Sequence, residues 1–363
     1  MSQALAMDES ERADSIRLIR ESAAAVAPRG GDLRRIRALR FEEPGFDPAV
    51  WREMADLGWV GLRVPEEKGG AGLGMGAFCA LAEELGAALV PEPLIPAALA
   101  AALLAADPAG EAALGQVLGG RLLLAGWQER ADTLEAPGSL DAPRLFVPMA
   151  AGAEGFLVPV REGGRLTLRL LPREAADLAI DQTQDGGNYG TLRAAPDFTG
   201  GKLVAADLGG ALDAALDEAA LATSAYLLGA MEAAFAMTLA YLKTRQQFGR
   251  PIGSFQALQH RAADLKVQLS LTRASVEGAA AQLDAGLTGA ARRAVVSRAK
   301  ARAAEASMLV TRQAVQLHGG IGYTDEYDVG LYLRKAMVLA NQFGSARLHR
   351  KRFMALSPEA VEE

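Results

Sequence analysis

Apolar positions recur at helical spacing through the first third of the chain. Trp51, Met54, Leu57 and Gly58 keep one helix face, and Phe78, Leu81, Ala82, Leu85 and Gly86 keep another. A polar turn, Pro65-Glu66-Glu67-Lys68-Gly69-Gly70, separates them, and Pro91, Pro93 and Pro96 break the next connection. The period then changes. Leu157-Val158-Pro159-Val160 and Leu166-Thr167-Leu168-Arg169-Leu170 flank Glu162-Gly163-Gly164, which predicts a β-hairpin. Leu166, Leu168 and Leu170 fall on one face, with Arg165, Thr167 and Arg169 on the other. Pro159 has no amide proton for a ladder, so its strand is expected at a sheet edge. Residues 172–204, rich in Gly, Asp, Pro and Thr, read as loops and short strands.

Beyond residue 207 the pattern is helical almost to the end, with no proline between Pro251 and Pro358. Helices are expected over 212–244, 255–285, 289–317 and 327–342, with a turn at Gly249, Pro251 and Gly253 after the first. Long helices with short connections make an antiparallel bundle. The fold class read from the pattern is mainly α with a small β domain. An N-terminal helical domain (1–120) precedes a shortened middle β-sheet domain (121–206) and a C-terminal four-helix bundle (207–363).

Composition narrows the function classes. The chain has 363 residues, half of them hydrophobic, and a net charge of -6. A large core can therefore be buried, and the acidic balance disfavours nonspecific binding to nucleic acid or anionic membranes. Cys79 is the single cysteine, so an intrachain disulfide is excluded, and its apolar neighbours place it in the core. An acidic start (Asp8, Glu9, Glu11) lacks the basic-then-apolar pattern of a signal peptide. The Ala/Leu run 97–106 stops at Asp107, short of the roughly 20 residues that span a bilayer. The expectation is a soluble, cytoplasmic protein. His260, His318 and His349 have no glutamate three residues before them, which disfavours a di-metal bundle. Gly72-x-Gly74-x-x-Ala77 follows a charged turn rather than a strand, so it is not read as a dinucleotide fingerprint.

Two segments carry candidate chemistry. In Tyr241-Leu-Lys-Thr-Arg245-Gln-Gln247-Phe248-Gly249-Arg-Pro-Ile-Gly253-Ser-Phe-Gln256 a helix ends in a cation, an aromatic and glycines. An arginine fork suits a phosphate or pyrophosphate, and an exposed phenyl ring offers a stacking face. In Gln316-Leu-His318-Gly319-Gly320-Ile-Gly322-Tyr323 the glycines let backbone approach a ligand, and the Gln316 amide can pair with a base or ribose edge. Both segments also suit plain helix C-termini, so chemistry alone leaves the two readings open.

Together the two segments resemble the bundle turns of acyl-CoA dehydrogenases: Arg-x-x-Phe-Gly followed by Pro-Ile-x-x-Phe-Gln, then Gln-x-x-Gly-Gly-x-Gly-Tyr. The order helices, sheet, bundle is similar to theirs, as are the turn at Pro65 and the run Glu83-Glu84-Leu85-Gly86. The resemblance implies FAD, with Arg245 on its pyrophosphate, Phe248 packed on the cofactor, and Gln247 beside them. It implies Gln316, Gly319 and Gly320 at the adenosine and pyrophosphate end. In that family these turns serve the flavin of a neighbouring subunit, which implies a dimer or tetramer. An acyl-CoA substrate and an electron-transfer flavoprotein are implied as partners.

The chain departs from that pattern in the middle. Trp127-Gln128-Glu129 stands where the family has Thr-Glu-Pro, with no Gly-Ser-Asp after it. None of the three tryptophans, Trp51, Trp59 and Trp127, lies in a Trp-Ile-Thr strand. The chemistry also needs a carboxylate over the α-carbon. After Arg334-Lys-Ala336-Met the usual base position holds Phe343, which accepts no proton. Some members carry the base on the first bundle helix, where counting falls on Ala219, beside Glu218 and Asp217. Three readings follow. The chain is one half of a heteromeric acyl-CoA dehydrogenase with a related subunit, a homomeric enzyme with a relocated base such as Glu218, or a non-catalytic scaffold. The basic stretch from Arg347 to Arg352 reads as a solvated helix end, with a CoA phosphate as the alternative.

Overall fold

The computed structural model describes residues 9–194 and 196–357; Asp8 and Pro358 lie outside them. In chain order it contains α1 (Glu9–Val26), α2 (Arg34–Leu39), α3 (Pro48–Asp56), α4 (Met75–Ala87), α5 (Leu94–Ala105) and α6 (Glu111–Leu118). Strands follow as β1 (Leu123–Ala125), β2 (Arg144–Pro148), β3 (Gly155–Glu162), β4 (Arg165–Pro172), β5 (Asp177–Gln182), β6 (Asn188–Arg193) and β7 (Lys202–Ala205). The remainder is α7 (Ala211–Thr244), a short hairpin β8 (Gln246–Gln247) and β9 (Arg250–Pro251), then α8 (Gln256–Asp284), α9 (Gly289–His318), α10 (Val329–Leu339) and α11 (Ala346–Leu356).

These elements form two compact units that do not follow chain order. Among the described residues, one takes those up to 34, then 75–90 and those from 220; the other takes those of 35–74 and 91–219.

In the unit that holds the bundle, the core is built from three long helices. Leu228, Met231, Phe235 and Leu242 of α7 pack with Leu265 and Leu269 of α8 and with Ala306, Val310 and Leu317 of α9. α7 is long and apolar enough to cross a membrane by length and composition, and 61% of its apolar stretch is buried inside the protein. Helices α4 and α7 approach with almost no side chain between them. A Cβ on Gly86 would lie 2.0 Å from the Tyr226 carbonyl oxygen, and one on Gly229 would lie 1.8 Å from that of Glu83. Only hydrogen at both positions permits this crossing. Asp284, at the end of α8, caps α4 by accepting from the amides of Met75 and Gly76.

Glu83 and Glu84 of α4 are buried and share three arginines. Arg20, Arg29 and Arg273 all reach Glu83, at 2.8, 2.7 and 2.7 Å, and Arg20 and Arg29 also engage Glu84. Burial lifts the Glu83 pKa, but hydrogen bonds from Arg273 and Arg20 outweigh it and bring the group down to about 2.

Helix α10 is shorter at both ends than the spacing suggested. Buried Lys300 donates to the carbonyls of Leu339 and Ala340, 3.0 Å from each, and closes the helix there. The basic stretch from Arg347 to Arg352 lies within a separate helix, α11, rather than at a helix end.

In the other unit, a four-stranded sheet has the order β1-β3-β4-β7 and a three-stranded sheet the order β2-β6-β5. The expected hairpin forms, with Glu162 opposite Arg165 and Gly163 and Gly164 at φ 56 and 83. The expectation for Pro159 needs correction: its strand, β3, has neighbours on both sides. The tolerance has a local cause. β1 ends at Ala125, opposite Leu157, before it reaches Pro159. On that side the Pro159 carbonyl accepts from Arg144 instead. The second face of β4 is also covered, since Thr167 is buried and donates to the Val160 carbonyl.

Candidate functional site

Helix α7 ends in the β8–β9 hairpin, where Gln247 pairs with Arg250. Its two-residue tip is Phe248-Gly249, at φ 54 and 77. Such a tip favours Asn-Gly, because both residues are left-handed. Phenylalanine there costs on the order of 1 kcal/mol. The residue is nonetheless 90% exposed, its ring meeting Phe255 edge-on at 6.0 Å. A strained turn therefore holds a large aromatic group out into solvent.

Helix α9 ends at His318, and Gly319 follows at φ 65. The two turns open on one cleft of about 560 Å³, a volume suited to a small molecule or part of a larger one. Arg245, Gln247, Gln316, Gly319 and Gly320 all line it, so five of the residues singled out from the sequence meet in one place. Phe248 stands beside them at the hairpin tip.

Two further residues in the wall were not singled out. Arg261, from the second turn of α8, adds another guanidinium. Among the described residues no carboxylate lines the cleft. His318 is 2% exposed, between the rings of Tyr241 and Tyr327, whose centroids lie 4.5 and 4.8 Å away. Its Nδ1 donates to the Ala314 carbonyl at 2.7 Å. Burial lowers its pKa, so the ring is neutral and Nε2 is an acceptor. Among the described residues that atom has no partner. Nothing in the sequence marks Arg261, because its place in the wall depends on how α8 packs. His318 lies inside a recognised motif, but its burial is not visible there.

The donor set suits an anionic nucleotide. Two cations, side-chain amides and open glycine backbone can hold a diphosphate, and the orphaned imidazole nitrogen can accept from a base or ribose. FAD offers each of these groups.

The remaining candidates lie elsewhere. Glu218 is on the early part of α7 in the sheet-bearing unit. Arg63 grips its carboxylate with a two-point fork, at 2.8 and 3.1 Å, and donates also to the Leu73 carbonyl. Phe343 is buried, at φ 54, in the loop between α10 and α11. His349 Nε2 donates to its carbonyl at 2.8 Å, which fixes the loop. In the middle segment, Glu129 accepts from the amides of Gly138 and Ser139 and from buried Arg144, at 3.0, 2.8 and 3.0 Å. That carboxylate is committed to closing its own loop.

Comparison with known proteins gives a consistent result. Residues 4–108 match the model for the acyl-CoA dehydrogenase N-terminal domain, and 210–355 match that for the C-terminal domain. Acyl-CoA dehydrogenase IpdE2 of Mycolicibacterium smegmatis (strain ATCC 700084 / mc(2)155) is 34% identical over 343 residues, covering 93% of this chain and 97% of that protein. Among solved structures, a variant of the Tcur3481-Tcur3483 steroid ACAD superposes with a TM-score of 0.83 at 28% identity, covering 98% of this chain and 99% of that one. The ChsE4-ChsE5 complex from Mycobacterium tuberculosis gives 0.82 at 26% identity, with 98% of each chain covered.

Proposed function

The chain belongs to the acyl-CoA dehydrogenase family of FAD-binding oxidoreductases, and we propose that it is one half of a heteromeric member that desaturates an acyl-CoA thioester. In this reading it completes a flavin site carried largely by a related subunit, and an electron-transfer flavoprotein takes the electrons onward. Bound FAD supplies the acceptor for the hydride that leaves the β-carbon. The chain's own residues do the holding. Arg245 would fork onto the pyrophosphate, with Gln247 beside it. Gln316 and the Gly319-Gly320 backbone would meet the adenosine end. Phe248 would cover the cofactor from a hairpin tip that projects from its own unit.

The observation that carries the proposal is Phe248, strained at φ 54 and 90% exposed next to the open Arg245 cleft. Backbone strain persists where a contact requires it, and among the described residues none buries the ring. The proton acceptor is assigned to the partner. Phe343 cannot act as a base, and Glu218 already serves Arg63. The two-protein names of the superposed structures, ChsE4-ChsE5 and Tcur3481-Tcur3483, agree with a paired assembly.

Expression separates this reading from its rivals. Purified alone, the chain should show little flavin absorbance. Co-expressed with a related chain that carries Gly-Ser-Asp, it should purify as a yellow, active pair. Stoichiometric FAD on the lone chain overturns the half-site role. In the pair, Arg245→Ala should reduce flavin occupancy, and unchanged occupancy would favour a scaffold.

A further inference from the structure

We infer that Arg261 is a second phosphate-binding residue, which closes with Arg245 on a nucleoside diphosphate moiety. The inference rests on the reading of the cleft above and adds a residue that neither family motif contains.

The case begins with charge. Arg245 ends α7 and Arg261 lies on α8, yet both line the same wall. Both side chains are exposed, and among the described residues neither makes an ion pair or a hydrogen bond. In the same unit Arg20, Arg29 and Arg273 are all tied to Glu83. Two guanidiniums on one wall repel unless an anion lies between them. Among the described residues the wall offers no carboxylate to play that part, and an anionic ligand would fill it. A diphosphate has charge and oxygens for two forks, where a single carboxylate fills only one.

The uncharged part of the wall narrows the ligand further. His318 is almost wholly buried, its Nδ1 is fixed on Ala314, and among the described residues Nε2 has no partner. A buried acceptor left unpaired is costly. A ligand that presents an N–H or O–H donor as well as its phosphates would satisfy it. Gln316 adds an amide at the same wall. Phosphates joined to a base or sugar meet both demands, while inorganic pyrophosphate meets only the first.

The full-length chain can be titrated calorimetrically with ADP. Saturable binding is expected, weakened about tenfold or more by Arg261→Gln and by Arg245→Gln, because each removes a charged fork onto the phosphates. Arg261→Lys should recover part of the loss, because it keeps the charge without the fork. Arg298→Gln, at an exposed arginine outside the cleft, should bind as wild type does. Among the described residues Arg261 has no side-chain partner, so its variants should fold normally, which unfolding curves check. Wild-type affinity in Arg261→Gln, alongside weak binding in Arg245→Gln, sinks the role of Arg261 and leaves the proposed function standing. Absence of saturable ADP binding to the wild-type chain also overturns the inference. Flavin content of the co-expressed pair then decides the proposed function independently.

Discussion

His318 donates its Nδ1 proton to the carbonyl oxygen of Ala314, one helical turn back, at 2.7 Å. The bond fixes the tautomer and leaves the lone pair of Nε2 buried in the wall of the cleft. The same burial lowers the ring's pKa from its usual 6.5. Burial likewise raises the pKa of its ring neighbour Tyr327.

The first prediction follows from that shift. The folded state resists protonation of His318, so the unfolded chain binds the proton first as pH falls. Stability is full above about pH 6.5 and declines as pH drops through the lowered folded pKa. His318→Gln removes this titration. Its melting temperature should fall less steeply than that of wild type between about pH 7 and 5. Parallel curves over that window would show that His318 carries no linkage.

Phe248 gives a prediction that separates stability from function. Asparagine tolerates left-handed backbone, so Phe248→Asn should relieve the hairpin tip and leave stability equal or better by up to about 1 kcal/mol. The same variant should lose flavin when co-expressed with a flavin-competent partner. Full retention of flavin would mean that the exposed ring contacts nothing that matters.

The close crossing of α4 and α7 predicts opposite outcomes for two glycines. Gly229→Ala places a methyl group 1.8 Å from the Glu83 carbonyl oxygen and must push the helices apart. A loss of about 3 kcal/mol or more is expected. Gly278 lies within α8 and would meet nothing within 4 Å, so Gly278→Ala should stabilise by roughly 1 kcal/mol. Denaturant unfolding of the two variants checks both signs. Equal effects would mean that the crossing yields easily.

Local pattern revealed much of this fold because helices and hairpins form from neighbours in sequence. The spacing of Phe78, Leu81, Ala82 and Leu85 marks α4, and Gly163-Gly164 fixes the register of β3 and β4. Pattern failed where the answer lay in distant chain. Pro159 suggests an edge strand, yet β3 lies inside a sheet because β1 stops short of it. The end of α10 depends on Lys300, about forty residues earlier in the chain.

The candidate site divides in the same way. Sequence by itself determined the family and the two turns, and singled out Arg245, Gln247, Phe248, Gln316, Gly319 and Gly320 in them as candidates. Each turn is a contiguous segment whose backbone needs are written in its own glycines. Only the tertiary structure decided that both turns open on one cleft, that Arg261 joins them from another helix, and that Arg63 occupies Glu218. It also decided that His318 is buried and neutral. Charge pairing and desolvation depend on which atoms come within a few ångströms, and residues far apart in sequence meet only once the helices have packed.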